Sequence, residues 1–311
     1  FYNSDADVDA LLALAATFVG QTQEATARRP VGELHLPAQD RPEVSRILLY
    51  PVKSCKAFEV ERWPVTPDGL AFDRRWAVAD LAGRLLTQKL CPALAQLAPE
   101  VDLVARVLRL RFNARAAGES CPSEVEVPLD GAQHRACSSQ VDVSLCGRDE
   151  PGGVVDGEVN AWLSRTLGVP CCLVEALAMD AGAGPESSRS NGVNGSASNG
   201  AAPRRERGGP LSRYWNRAPF LVVSEASVQA LNAFLEAGEA DMSDPVDVLQ
   251  FRPNLVLRGC APHAEGTWRA FAAAGMVFED AGACRRCPMV NIDQRGEGNH
   301  PRGLLRALAA Y

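Results

Sequence analysis

The sequence predicts an α+β fold, mainly β with helices, and three observations carry that prediction. From Val44 onward short apolar runs alternate with turn residues at strand-like spacing. Within one run Leu108, Leu110 and Phe112 alternate with Arg109 and Arg111, the period of a half-buried strand. Helical spacing is confined to a few short stretches, and isolated helices of that length are marginal in water.

The elements follow in chain order. Ser4 and Asp7 have capping-box spacing, and Val8, Leu11, Leu12, Ala15 and Val19 then recur at helical intervals, which predicts a helix over Asp5–Phe18. Residues 23–42 hold Arg28-Arg29-Pro30, Pro37 and Pro42 without a sustained period and read as a linker. Strands are expected at Ile47–Tyr50, Trp76–Val78, Leu85–Thr87, Leu108–Phe112 and Val125–Val127, with Trp76–Asp80 and Leu85–Thr87 forming a hairpin about Gly83. One helix interrupts them, carrying Val159, Trp162, Leu163, Thr166 and Leu167 on one face and stopping at Gly168. Further strands are expected at Phe220–Val223, Leu255–Leu257, Met276–Phe278 and Met289–Ile292. A helix bears Val228, Leu231 and Phe234, and another begins within Arg302–Tyr311. Between Ala181 and Pro203, 20 of 23 residues are Ala, Gly, Ser, Asn or Pro, which buries too little apolar surface to offset ordering. The expected organisation is a helix at 1–22, the linker at 23–42, an antiparallel β subdomain at 43–175 and a second unit at 176–311 with a disordered insertion at 181–210.

Composition narrows the function classes. At 311 residues, 46% hydrophobic and 23% charged, the chain can bury an ordinary core in about two domains. A net charge of -6 argues against a nucleic-acid surface, which needs a basic face. Nothing approaches the roughly 18 apolar residues of a membrane span, and the first residues lack a signal peptide, so a cytoplasmic location with reduced thiols is expected for the 10 cysteines. The chain opens at Phe1 within what reads as a structural element, which predicts a longer polypeptide.

Cys284-Arg285-Arg286-Cys287 is the sharpest local feature, because two thiols beside two guanidinium groups favour thiolate. A structural zinc site lacks partners, since the four histidines (His35, His134, His263, His300) form no second ligand pair. A thioredoxin-type dithiol needs its pair to open a helix, and Pro288–Ile292 reads as a strand. A thiolate on a soft metal remains, beside two cysteines that merely pack. Tyr50-Pro51-Val52-Lys53-Ser54-Cys55-Lys56 offers ammonium and hydroxyl groups on a turn, as an anion site or a solvated basic turn. Asp73-Arg74-Arg75-Trp76 adds a guanidinium fork, and Phe251-Arg252-Pro253-Asn254 adds another with an amide. Arg213 and Arg217 could line a pocket from a far side, and Arg204, Arg205 and Arg207 read as a solvated flank. Together these suit a phosphorylated polar ligand with a thiophilic centre.

In this order, the motifs at 50–56, 73–76, Ser224-Glu225-Ala226-Ser227, 251–254 and 284–287 resemble those of the MOSC domain family over about residues 43–295. The resemblance implies a MOSC-type β-barrel module that binds the molybdenum cofactor, Mo-molybdopterin, whose terminal phosphate and pterin would fall to Lys53, Ser54, Arg74, Arg252, Asn254 and Arg217. It implies Cys287 as metal ligand and catalytic residue, with Cys284 either relaying sulfur or packing. Two branches of the family compete. The run Cys287–Gln294 and the opening Phe1–Ser4 with its helix are similar to the branch that sulfurates the cofactor, where an upstream pyridoxal-phosphate cysteine desulfurase precedes this module. That branch implies sulfurtransferase activity, with xanthine dehydrogenase and aldehyde oxidase as acceptors. The amidoxime-reducing branch and a non-catalytic cofactor carrier are the alternatives.

Overall fold

The structure is a computed structural model, and it describes residues 42–66, 68–112, 122–129, 140–145, 148–155, 157–177, 214, 218–237, 245–284, 288–294 and 303–311. The helix expected at 5–18, nearly all of the linker and the insertion at 181–210 lie outside the described residues.

Three hydrophobic cores organise the described residues: a first, a second, and a smaller third around Val143, Val174 and Tyr214. β1 (Glu43–Leu49) pairs antiparallel with β2 (Phe58–Val60), and the short pair β3 (Val65–Thr66) and β4 (Gly69–Leu70) leads to β5 (Trp76–Asp80). β6 (Leu97–Asp102), β7 (Val107–Phe112) and β8 (Glu124–Pro128) form a three-stranded antiparallel sheet. In β7 the alternation behaves as its sequence predicts: Leu108, Leu110 and Phe112 are buried, while Arg109 and Arg111 pair with Glu100, Glu124 and Glu126 on the wet face.

β9 (Gln140–Leu145), β10 (Arg148–Val154), α1 (Glu158–Leu167) and β11 (Cys171–Ala176) follow, with sheet order β5-β11-β10-β9. All six residues of β11 are buried, which is why it reads Cys-Cys-Leu-Val-Glu-Ala without alternation. α1 buries Val159, Trp162, Leu163 and Leu167 against the first core and ends where Gly168 takes the left-handed φ of 70°. β12 (Val222–Ser224) runs straight into α2 (Glu225–Ala237), and β13 (Leu255–Arg258) then lies parallel to β12 and antiparallel to β1. β14 (Ala270–Ala273) and β15 (Met276–Glu279) form a separate hairpin, and α3 (Leu304–Ala310) packs on the second core.

Trp76, Trp162, Leu97, Leu108 and Leu110 belong to the first core, and Leu48, Val223, Leu231, Val256 and Leu304 to the second. The stretch from Leu48 to Cys55 feeds both: Leu48 and Tyr50 enter the second core, Val52 and Cys55 the first. Its Lys53–Ser54 turn is therefore held at the seam between them.

Several expectations are corrected. The Trp76–Thr87 hairpin does turn about Gly83, with Asp80 N donating to Arg84 O at 2.9 Å, Leu86 N to Val78 O at 2.8 Å and Ala79 bridged antiparallel to Leu85, but its return arm is too short to be a full strand, and β5 pairs along its other edge with β11. Pro288–Ile292 is not a strand: Pro288–Asn291 is a 3-10 turn, where proline's restricted φ and missing N–H suit a first helical position. In α2 Phe234 is 40% exposed and Leu235 turns inward instead. Among the described residues no sheet closes on itself, so the expected barrel is present as several open sheets.

Candidate functional site

Three loops from distant parts of the chain are strapped together by backbone hydrogen bonds. Arg74 N donates to Tyr50 O at 2.8 Å, Lys53 N to Trp76 O at 2.7 Å and Trp76 N to Pro51 O at 3.1 Å, which joins the loops at 50–54 and 73–76. Leu48 N donates to Asn254 O at 2.8 Å, and Asn254 Nδ2 to Leu48 O at 3.1 Å, which adds the loop at 251–254. Each loop contains a non-glycine residue in the left-handed region: Ser54 at φ 67°, Arg74 at 49° and Arg252 at 56°. Such conformations cost of order 1 to 3 kcal/mol each and persist where the surroundings over-determine them.

The loops open onto one cavity of about 1430 Å³, lined by Lys53, Ser54, Arg74, Arg252 and Asn254 at one end. Lys53 Nζ donates to Tyr214 O at 2.8 Å, and Tyr214 N donates to Arg74 O at 2.9 Å. Arg74 donates through Nη1 to Asp73 Oδ2 and to Asn254 Oδ1, the latter at 2.9 Å, and through Nη2 to Arg252 O at 3.4 Å. Asp73 Oδ1 in turn accepts from Tyr50 N at 2.8 Å. Both Arg74 and Arg252 lie over the Tyr50 ring, with guanidinium carbons 4.4 and 4.2 Å from its centroid. Burial pushes the Tyr50 hydroxyl up to about 12, and the two arginines pull the other way.

Arg252 differs from Arg74 in its partners. Its Nη1 donates to Gln294 Oε1 at 2.9 Å, and among the described residues its other guanidinium N–H groups have no acceptor. Burial lowers its pKa from the ordinary arginine value, yet a guanidinium stays charged throughout the physiological range. The cavity therefore presents a half-buried cation with donors to spare, beside Lys53 and the Ser54 hydroxyl. That donor set fits a phosphate, which offers several acceptor oxygens and near two negative charges.

The cavity is also lined by Cys284, Met289 and the β14–β15 hairpin, whose Phe271 stacks on Phe278 at 4.8 Å while Phe220 meets Phe278 edge-on at 5.1 Å. Cys284 is exposed. Cys287 and Arg217 lie outside the described residues, as do Arg285, Arg286 and Arg213. Cys55 is sealed beneath Ser54: burial raises its thiol well above the ordinary range, and nearby Arg252 offsets only part of the shift.

Sequence reasoning missed two groups. Gln88 and Gln294, buried from opposite ends of the chain, exchange hydrogen bonds behind Arg252. Gln294 ends a run already singled out, whereas Gln88 carries no local signal at all. Glu265 closes another part of the cavity, accepting from Ser227 Oγ at 2.7 Å, Ser224 N at 3.0 Å and Ser224 Oγ at 3.1 Å. Burial would raise its carboxyl, but these hydrogen bonds outweigh it and hold the group below the usual glutamate range. The Ser-Glu-Ala-Ser motif thus starts α2 and fastens it to the 263–267 turn.

Fold and site define a β-rich protein with a cationic cavity at the seam of two cores. The MOSC N-terminal beta barrel domain matches residues 41–170 and the MOSC domain matches residues 203–310. The chain belongs to the MOSC domain family. It is 31% identical over 289 residues to the molybdenum cofactor sulfurase of Oryza sativa subsp. japonica, a match covering 92% of this chain and 32% of the relative. The human molybdenum cofactor sulfurase is 29% identical over 307 residues, covering 94% and 31%, and that of Danio rerio 32% over 267 residues, covering 81% and 28%. The chain spans about a third of the length of the curated relatives it matches.

Proposed function

We propose that this chain is the cofactor-holding part of a molybdenum cofactor sulfurtransferase. Its substrate is Mo-molybdopterin, on which an Mo=O ligand becomes Mo=S. The sulfur originates in L-cysteine and is delivered by a pyridoxal-phosphate domain upstream of this module. The acceptors of the sulfurated product are xanthine dehydrogenase and aldehyde oxidase, and the reaction is cytoplasmic. Sulfurase relatives at about 30% identity and the MOSC domains support the cofactor role, and no helix among the described residues is long and apolar enough to cross a membrane.

The observation that carries the reading is the convergence of Lys53, Ser54, Arg74, Arg252 and Asn254, separated by up to two hundred residues, on one cavity whose wall also carries Cys284. In this reading Arg252 and Lys53 hold the phosphate. Asn254 fixes Arg74, the Ser54 hydroxyl hydrogen-bonds the phosphate or pterin edge, and Arg217 would add a further cation. Cys287 would supply the thiolate at molybdenum. Cys284, three residues earlier in the sequence and exposed, is the candidate for receiving the sulfur that the upstream domain delivers, with a packing role as the alternative.

Loading the purified chain with isolated cofactor and measuring retained molybdenum and pterin tests this. Cys287→Ala should lose molybdenum before pterin, and Arg252→Ala should lose both. Normal retention by the double variant would remove the site. Reduction of an N-hydroxylated substrate by the loaded chain with an electron donor would favour the amidoxime-reducing alternative.

A further inference from the structure

Gln294 sits behind Arg252 with every hydrogen-bonding position of its amide in use. Its Oε1 accepts from Arg252 Nη1 at 2.9 Å and from Gln88 Nε2 at 3.1 Å. Its Nε2 donates to Gln88 Oε1 at 2.9 Å and to Ile292 O at 3.0 Å. Two lone pairs and two protons saturate a glutamine side chain. Arg252 and the Ile292 carbonyl decide which way the amide faces, since a flip would set NH₂ against the guanidinium and carbonyl against carbonyl, and Gln88 follows that choice. The backbone is held as well, since Gln294 N donates to Gln250 Oε1 at 3.2 Å while Gln250 Nε2 donates to Val290 O at 3.0 Å. Gln88 is fully buried, and Gln250 and Gln294 are 6% and 8% exposed, so each of these bonds is costly to lose.

The partner's chemistry matters as much as its position. A buried arginine is ordinarily matched by a carboxylate, as Arg75 is by Glu175 at 2.5 Å in this same protein. Arg252 instead receives an amide, which orients a guanidinium without neutralising it. We propose that Gln294, braced by Gln88, is a positioning residue that holds Arg252 through an uncharged contact, leaving its charge and remaining N–H groups for the ligand's phosphate. The inference rests on the cavity's reading as a phosphate-binding site and adds two residues and a reason for their type. It also joins the 288–294 segment that follows the Cys284–Cys287 motif to Arg252, alongside the bonds that Gln250 makes to the same segment.

The test uses the full chain and two probes, a pterin bearing an alkyl phosphate and the same pterin with the phosphate removed, with binding measured at low and at moderate salt. Wild type should prefer the phosphorylated probe, and Arg252→Ala should abolish the preference. Gln294→Glu loses the two bonds that the amide donates and should lower the melting temperature, yet the protein that remains folded should show the preference cut at least tenfold and its salt dependence flattened, because the new carboxylate takes the charge that the phosphate needs. A residue that served only stability would lower the melting temperature and leave the preference of the folded protein intact. Gln88→Met should also lower the preference, and its effect should vanish in the Arg252→Ala background. If Gln294→Glu does not fold, the Gln88→Met cycle alone decides, and additive losses overturn the positioning role. Full preference in both glutamine variants, with loss in Arg252→Ala, would overturn the positioning role and spare the phosphate reading. A wild type indifferent to the phosphate would overturn both.

Discussion

Arg74 and Arg75 are consecutive, yet they serve opposite ends. Arg75 turns inward and meets Glu175 of β11 at 2.5 Å, with both side chains about 95% buried. Arg74 turns to the cavity, where Asp73, Asn254 and the Arg252 carbonyl orient it at its rim. Arg75 is met by a countercharge in the interior. Arg74 lies beside Arg252, which among the described residues is held by an amide and by no carboxylate. A buried pair adds little net stability but is very costly to halve, whereas an uncompensated cation costs stability and has value only to a ligand.

Arg75→Ala should therefore produce the largest loss, about 3 to 5 kcal/mol in denaturant melts, because it removes the guanidinium that Glu175 meets in the interior. Replacing both partners, Arg75→Met with Glu175→Leu, should restore most of it; a double variant as unstable as the single one would mean the pair itself carries the stability. Arg252→Ala should cost little or no stability, yet weaken retention of a phosphorylated pterin roughly 10- to 100-fold, the equivalent of about 1.5 to 3 kcal/mol for a charge-assisted hydrogen bond. Wild-type retention would place the phosphate elsewhere.

Glu265 extends the contrast to an anion that is satisfied internally. Its folded carboxyl lies below the ordinary value of about 4.3, so its contribution is present above that pH and is lost as pH falls through the folded value. Glu265→Gln should destabilise the protein at pH 7 by about 1 to 2 kcal/mol and hardly at all at pH 3, read from urea melts at the two pH values. An equal loss at both would show that charge plays no part. The smallest effect belongs to the wet face of the β6–β7–β8 sheet, where Arg111 is half exposed between Glu100 and Glu124. Arg111→Ala should cost under about 1 kcal/mol and fade with salt, and a loss comparable to Arg75→Ala would contradict the burial argument.

Much of the fold was legible because the signals are local. The period of two in β7 needs only its own residues, and the stripe of Val159, Trp162, Leu163 and Leu167 with Gly168 delimits α1 directly. The hairpin about Gly83 was legible for the same reason, whereas the pairing of the other edge of β5 with β11, nearly a hundred residues away, carries no local signal. The Pro288–Asn291 turn failed because a short run such as Met289, Val290 and Ile292 after a proline suits a strand or a tight helical turn equally well. Of the proposed ligand-holding residues, Lys53, Ser54, Arg74, Arg252 and Asn254 were legible as motifs and do share one cavity. Gln88 was not, since a glutamine between a threonine and a lysine has no periodicity or spacing to betray it.

Residue types, element types and the family motifs are properties of short stretches, so the amino-acid order alone was enough to settle them. Which of two adjacent arginines reaches across to Glu175, and which cation is held by an amide so that its charge survives, depends on chain segments from about 40 to about 200 residues apart meeting in space. Electrostatic partnership is decided by distance and burial in space, and neither is written in sequence separation.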